Sequence, residues 1–496
     1  VAALATASAV SGLTLMSRHD LATAAASGLW QRAGLSADAL DGLELTGRDP
    51  VLPTSFCLTT AALASIGTAA LAAAVLGAAR GGVRQHVAVD AVHATLECTG
   101  SFRLDGRTPE VWDKLSGLYA CGGIAQPGHV RIHANFAHHR DAALAVLGLP
   151  RGADTTRQQV AAALAAWRAE DFEDAAANAG AVVAAARPFA QWDAHPQAAA
   201  VSALPVFSIE RLDGGGSKVA PRLWPDLPAP DAPPLQGIRV LDLTRILAGP
   251  VAGRALAAYG ADVMLVNGPH LPNIEHIADT SRGKRSVQVD LRHEAGRATL
   301  RSLLADTHVF VQGYRPGALA AQGFSPEALA ALRPGIVVVS LSAYSHVGPW
   351  AGRRGFDSLV QTATGFNHAE GEAAGASSPK PWPCQMIDYA SGYLMAFAAQ
   401  AALMRQQREG GSWLVRVSLA QTAQWIRSLG RIEGGFDVQA PSIEPFMEES
   451  DSGFGRLAAM RHPARFSHTP ARWAWPSVPP GHDAPGWSSG HARRSP

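Results

Sequence analysis

An α/β fold is what this sequence predicts: a doubly wound parallel (Rossmann-like) sheet domain joined to a smaller helical or α+β domain. Three observations predict it. After about residue 236, short apolar runs alternate with helix-period segments, the pattern of strands crossed over by helices. Before that point the chain is alanine-rich and mostly helical in pattern. Between the halves, residues 213–235 begin with Gly214-Gly-Gly216 and run through repeated proline to Pro233-Pro234. Such a segment cannot carry a hydrogen-bonded ladder and reads as a linker.

Each element can be justified in turn. Residues 61–79 are long enough to tempt a membrane assignment, but Ser65, Gly67 and Thr68 interrupt a run of mere alanine. A buried core helix is expected there, and no membrane partner. A glycine-containing loop, residues 121–128 with Gly122 and Gly123, leads into an extended piece at 130–133. Helices are expected over 157–168 and 171–186. In the second half, strands are expected at 238–243, 262–266, 286–291, 308–312, 336–341 and 414–419. Helices are expected at 292–305, at 326–332 and from Asp388 through Arg405, the last with Tyr393, Phe397 and Leu403 available for burial. From about residue 431 to 496 the pattern decays into Pro, Trp, His and Arg without period, and an irregular tail is expected.

Composition limits the function classes. A length of 496 residues suggests two or three domains, and 47% hydrophobic against 17% charged residues is a globular balance. Lys and Arg total 42 against 41 Asp and Glu, a net charge of +1, so there is no clustered excess that would track nucleic acid. One phosphate-bearing ligand would still need only a few arginines. Cys57, Cys98, Cys121 and Cys384 are widely spaced with no C-x-x-C, which points to a reducing, cytoplasmic compartment. There is no H-E-x-x-H, and adjacent His138 and His139 do not share a helix face, so no metal is expected. G-x-G-x-x-G and the Walker pattern are absent, which argues against a redox dinucleotide and against an NTPase. The first residues lack the basic segment of a secretory signal, and Val1 in place of Met suggests a start further upstream.

Several motifs carry chemistry. Gly249-Pro-Val-Ala-Gly253 follows the first strand of the sheet; it is either a phosphate-binding corner or a helix start with glycine for close packing. Ser281-Arg-Gly-Lys-Arg-Ser286, Arg315-Pro-Gly317 and Arg353-Arg-Gly355 place cations near strand ends, where open α/β sheets bind ligands. A multiply phosphorylated ligand would account for them together. Asp388, in Met386-Ile-Asp-Tyr-Ala-Ser-Gly392, sits where an apolar run meets a helix start. It is either a helix-capping carboxylate or a nucleophile open to a substrate carbonyl. There is also an internal echo. An apolar helix, a Gly-Gly turn and a V-x-V strand run from Ala61 to Asp90 and again from Asp388 to Ser418; matching Gly67 with Gly392 sets Leu63 opposite Asp388.

In this order the pieces resemble the family III CoA-transferases, the CaiB/BaiF-like acyl-CoA transferases. The resembling motifs are Gly237-Ile-Arg-Val-Leu-Asp-Leu-Thr244 with Ala248-Gly-Pro250, Tyr259-Gly-Ala-Asp-Val263, and Arg282-Gly-Lys-Arg-Ser-Val287 with Asp290-Leu291. Then come Arg315-Pro-Gly317 with Gly323-Phe324, Gly355-Phe-Asp357 with Gln361, and Asp388-Tyr-Ala-Ser-Gly392. In the first half, Gly122-Gly123 with Gln126-Pro-Gly128, and Gln191-Trp-Asp-Ala-His-Pro196, look like the glycine loop and small domain that normally follow the sheet. The chain thus resembles two fused, partly deleted copies: 1–212 with the glycine loop and small domain, a linker at 213–235, the sheet with its nucleophile at 236–430, and the tail.

The resemblance implies CoA transfer between an acyl-CoA and a small carboxylic acid. Asp388 would be the nucleophile. Lys284, Arg285, Arg315 and Arg354 would contact CoA, Leu247 would line the channel, Asp357 would lie beside the nucleophile, and Gly122 and Gly123 would close over the intermediate. Backbone N–H groups near Gly392 would hold the oxyanion. It implies coenzyme A as acyl carrier, no metal, no redox cofactor and a possible homodimer. The departures are Asn267 for the usual Glu, Gly313 for the usual Asn, a shortened segment after Pro269, and Phe356 where racemases of the family place a His. Phe356 disfavours a racemase; Asn267 and Gly313 leave a non-catalytic acyl-CoA binder as the alternative.

Overall fold

The valine- and leucine-rich runs of the second half form strands buried on both faces, which is why they lack the alternation of a half-exposed strand. The computed structural model describes residues 18–124, 126–212, 220 and 224–487, so part of the expected linker, including Gly214 to Gly216, lies outside the described residues. One sheet has seven strands: β1 (Phe207–Arg211), β2 (Arg239–Leu243), β3 (Asp262–Asn267), β4 (Lys284–Gln288), β5 (Val309–Gln312), β6 (Val337–Ser342) and β7 (Trp413–Ser418). Their order is β4-β3-β2-β5-β6-β7-β1. Strands β2 to β7 are parallel, and β1 joins β7 antiparallel. Counted from β2, this is the dinucleotide-binding order, and it reverses between β2 and β5. The loops after those two strands therefore diverge to opposite faces and leave a crevice.

Helices cover both faces. Helix Met386–Glu409 packs between Leu58–Ala78 and Ala248–Ala258, and one continuous core runs through both halves of the chain. Leu58–Ala78 passes for a membrane span by length and composition, yet nearly all of it is buried in that core. A smaller unit has its own core: an antiparallel sheet of Gly117–Cys121, Gly128–Ile132 and Val183–Ala185, packed by helices Ala137–Val146, Arg157–Leu164 and Ala169–Asn178. A buried ionic knot ties the halves: Arg254 pairs with Glu97 and Asp279, Arg282 reaches Asp279 at 2.5 Å, and the Tyr393 hydroxyl donates to Glu97 at 3.0 Å.

Three expectations are corrected. The helix expected over 171–186 ends at Asn178, because Gly180 adopts φ 83° and the chain turns into strand Val183–Ala185. The strand expected at 286–291 begins at Lys284. The tail is not irregular throughout: Met447–Ser452, Gly455–Met460 and Ala464–Phe466 are strands. Gly455–Met460 pairs with Phe102–Leu104, and Ala464–Phe466 with Val87–Asp90. Their partners lie in the first half, so no local periodicity announced them.

Candidate active site

In a parallel sheet the carboxyl ends of the strands face the ligand crevice. Here the loops after β2, β5 and β6, together with the start of helix Met386–Glu409, enclose a cavity of about 330 Å³. Leu247, Arg315, Arg354 and Asp388 all stand in its wall, with Arg245, Phe136, His138, His139, Tyr314 and Phe356. Two backbone strains flank it. Ile246 has φ 79° and Ser345 φ 90°, a region costly for residues with a side chain and found mostly where function demands it.

Asp388 is 7% exposed and is the third residue of its helix. It is not the cap. Asp357, at the start of helix Asp357–Ala363, accepts the backbone N–H of Asp388 at 2.9 Å and that of Ile387, and so caps the helix from outside. That leaves the Asp388 carboxyl free for the cavity. Asp357 is itself held by Gln361 Nε2 at 2.5 Å; Gln361 accepts from Asn367 at 3.0 Å, and Arg131 donates to Asn367 at 3.4 Å. Burial pushes Asp357 up to about 6, against the pull of these bonds and of the Arg131 charge. Burial and then the nearby Asp357 charge push Asp388 well above the usual carboxylate range. Two carboxyls this close do not both ionise readily.

The cations divide. Arg354 donates to the Gly180 carbonyl at 2.9 Å, and neither Arg315 nor Arg354 pairs with a carboxylate among the described residues. Both are therefore available to an anion. Arg353 is committed to Glu173 and Asp174. Lys284 and Arg285 are not in this wall, which corrects the expectation that they contact the ligand. They open β4 at the amino end of the sheet. Lys284 is fully buried, donating to Asp242 and to the Pro250 carbonyl at 2.8 Å each. Arg285 binds Asp262 at 2.7 Å and the Gly486 carbonyl at 2.7 Å.

Gly122 and Gly123, at φ 77° and 54°, make a tight turn whose nearest hollow, lined by Gly123, Tyr119 and Arg157, is separate from that of Asp388. Gly392 does not offer an oxyanion site: its bare face meets the Ala248 carbonyl and Val251, so it serves close helix packing. The Gly249–Gly253 corner likewise resolves to packing, since a side chain at Gly253 would strike the Asp242–Lys284 pair. Even so, helix Ala248–Ala258 opens on the cavity with no side-chain cap, and its first amides favour an anion there.

Residues missed from sequence come mainly from the first half. Phe136 and His139 line the cavity, and His133 stacks on Phe356 at 4.0 Å. Burial pulls His133 and His139 down to about 3, so both are neutral imidazoles at pH 7. Nothing in the spacing of these residues revealed that they face Asp388. Arg245 falls between the motif pieces ending at Thr244 and starting at Ala248, and could have been noticed as a cation directly after a strand end.

Residues 235–431 match the sequence pattern of CoA-transferase family III. The acetyl-coenzyme A transferase nodX of Hypoxylon pulicicidum is 36% identical over 216 residues, 42% of this chain and 36% of that protein. The succinate–glutarate CoA-transferase of Agrobacterium fabrum is 35% identical over 36% of this chain and 49% of its own. Among solved structures, a hypothetical protein of Mycobacterium tuberculosis, Rv3272, is 31% identical over 40% of this chain and 58% of its own, with a TM-score of 0.35. The chain spans about a third to a half of the length of these curated relatives. The crevice, the carboxyl pair and the motifs all fall within residues 235–431, the segment that is similar to CoA-transferase family III.

Proposed function

We propose that the chain moves CoA between an acyl-CoA thioester and a carboxylic acid through covalent intermediates on Asp388. The observation that carries this reading is one cavity in which a carboxyl freed from capping stands with Arg315 and Arg354, two cations that have no carboxylate partner among the described residues. The arginines suit phosphates and the apolar wall of Leu247, Ile246 and Leu341 suits a thioester arm.

The steps balance without a metal or a redox group. The Asp388 carboxylate attacks the thioester carbonyl, the C–S bond breaks, and CoA thiolate leaves a mixed anhydride. The thiolate then attacks the aspartyl carbonyl of that anhydride, releasing the donor acid and forming an aspartyl-CoA thioester. The acceptor carboxylate attacks this thioester, and the thiolate returns to the acceptor's acyl carbon, restoring Asp388. Asp357, Gln361 and Arg131 hold the helix start in place. Phe356 supplies no proton-transfer group, which favours transfer over racemisation. Residues 1–212 and 236–430 are proposed to be partial copies joined through 213–235; the cavity drawing walls from both supports this. A cytoplasmic setting is in keeping with four free, buried cysteines.

The test is to incubate the protein with an acyl-CoA, add hydroxylamine, and map the adduct by mass spectrometry. Modification at Asp388, absent from Asp388→Ala, is expected. Bound CoA with no adduct would leave a carrier rather than a transferase.

A further inference from the structure

The motif Gln191-Trp-Asp-Ala-His-Pro196 runs straight into Gln197, and the scheme above gives it no part. A glutamine on a short helix, here Pro196–Ser202, ordinarily faces water, yet Gln197 is fully buried. A buried amide is costly unless its donors and acceptor are answered. All of them are answered by one loop. Gln197 Nε2 donates to the Tyr344 carbonyl at 2.6 Å and to the Val347 carbonyl at 2.9 Å, and Oε1 accepts the Trp350 N–H at 2.7 Å. The His195 ring steadies the residue by accepting the Gln197 backbone N–H at 3.0 Å.

That loop follows β6 and has a shape that needs holding. Ser345, between the two accepting carbonyls, has φ 90°, a conformation that persists only where its surroundings over-determine it. Gly348 has φ 85°, and a Cβ there would lie 2.5 Å from Gln197 Oε1, so the close approach to the amide requires glycine. Both ends of the loop stand in the wall of the Asp388 cavity: Leu341, Ser342 and Ala343 before it, Arg353 and Arg354 after it. The connection to the arginines is short. The Trp350 carbonyl accepts the Arg353 N–H at 2.9 Å, and the Arg353 guanidinium lies over the Trp350 ring, 4.2 Å from its centre. Arg354 is the next residue, so the backbone that carries it starts from a turn bonded to Gln197.

We propose that Gln197 is a positioning residue: it holds the loop of residues 344–350 so that Arg354 stands where a CoA phosphate meets it. This rests on the CoA-transfer reading. Gln197 is not in the cavity wall, so its influence on the ligand passes through Arg354. A clamp that served stability alone would weaken folding and leave CoA affinity as it was.

The full chain and its variants are titrated calorimetrically with CoA. Gln197→Met keeps the length of the side chain and removes all three bonds; it is expected to bind CoA about tenfold more weakly, the worth of one charge-assisted contact put out of place. Arg354→Ala should lose about as much, and the double variant should be no weaker than Arg354→Ala, because a residue that acts through another adds nothing once the other is gone. Gln197→Glu is the conservative rescue. Its buried carboxyl, facing two carbonyls, stays protonated, keeps one donor and the acceptor, and should restore affinity to within about threefold of the parent. In transfer assays Gln197→Met should raise KM for the acyl-CoA and leave KM for the acceptor acid unchanged. CoA affinity in Gln197→Met equal to the parent's overturns the proposal, as does a double variant in which the two losses multiply. Where Gln197→Met does not fold, Gly348→Ala opens the same clamp from the loop side and is held to the same two outcomes. A parent that binds no CoA sinks the transfer reading and this inference with it, whereas CoA bound equally by parent and variant sinks this inference only.

Discussion

Helices Leu58–Ala78 and Met386–Glu409 pack on each other and are built alike at their starts. Each has a cap residue whose own side chain makes no capping bond, and each takes its cap from a buried aspartate elsewhere. Asp49 accepts the N–H of Thr59 and Thr60 at 2.8 and 2.9 Å, just as Asp357 accepts those of Ile387 and Asp388. Each helix is followed by a strand whose last residue caps the next helix, Asp90 at His93 and Ser418 at Gln421. The difference is the third residue. Thr60 turns its hydroxyl onto Asp49 at 2.5 Å and closes the network. Asp388 puts a second carboxyl beside the first, and among the described residues neither a hydroxyl nor a cation bonds it. One frame is satisfied and structural; the other keeps an unfavourable carboxyl pair at the wall of the cavity.

The largest effect should come from making the second helix like the first. Asp388→Thr is expected to abolish transfer, by about 10⁴-fold or more, as loss of a nucleophile does, and to raise the unfolding temperature at pH 8. The sign follows from the direction of the shifts. Asp357 rises from 3.8 to about 6 on folding, and Asp388 rises too. The folded chain therefore holds protons that the unfolded chain gives up. The cost is absent below the ordinary carboxylate value, grows as pH climbs through the window up to the folded values, and is full above them. Scanning calorimetry across pH should show the variant gaining most at the alkaline end. For the same reason the parent's transfer rate should climb with pH as Asp388 loses its proton, and Asp357→Asn should move that climb to lower pH.

The converse change sharpens the comparison. Thr60→Asp would set a second carboxyl against Asp49 in a fully buried place without a cavity. A loss of at least about 3 kcal/mol in urea unfolding is expected, with no catalytic gain. Unchanged stability would mean that the two helix starts are alike only in outline.

Most of the sheet was legible because its strands announce themselves locally. Val309–Val311 and Val337–Val339 are unbroken apolar runs, and helix Glu294–Leu304 before them buries only Leu300, Leu303 and Leu304, one apolar face. The crevice followed from strand order, and Asp388, Arg315 and Arg354 from their place after or before particular elements. What was not legible depends on partners distant in sequence. The tail strands pair with residues near 88 and 103, and Phe136, His133 and His139 reach the site only because the first half folds across the second. Lys284 was misjudged because a cation before a strand looks the same in sequence whether it meets a ligand or a buried Asp242. The helix cap on Asp388 was reassigned for a like reason: the true cap, Asp357, lies on another helix.

Lys284 and Arg315 bring that last ambiguity to a direct test, with the smallest effects. Lys284→Met leaves Asp242 buried and unpaired, so it should cost about 3 kcal/mol of stability while the folded fraction keeps its affinity for CoA. Arg315→Ala should do the opposite. Its side chain is exposed at the wall of the cavity and bonds no carboxylate among the described residues, so unfolding should be unchanged within about 0.5 kcal/mol. Affinity for CoA should fall about tenfold, and less at high salt, because an exposed charge is screened within about a Debye length. If the two variants exchange these outcomes, the cations of the sheet's amino end serve the ligand after all, and the crevice between β2 and β5 is not where the phosphates lie.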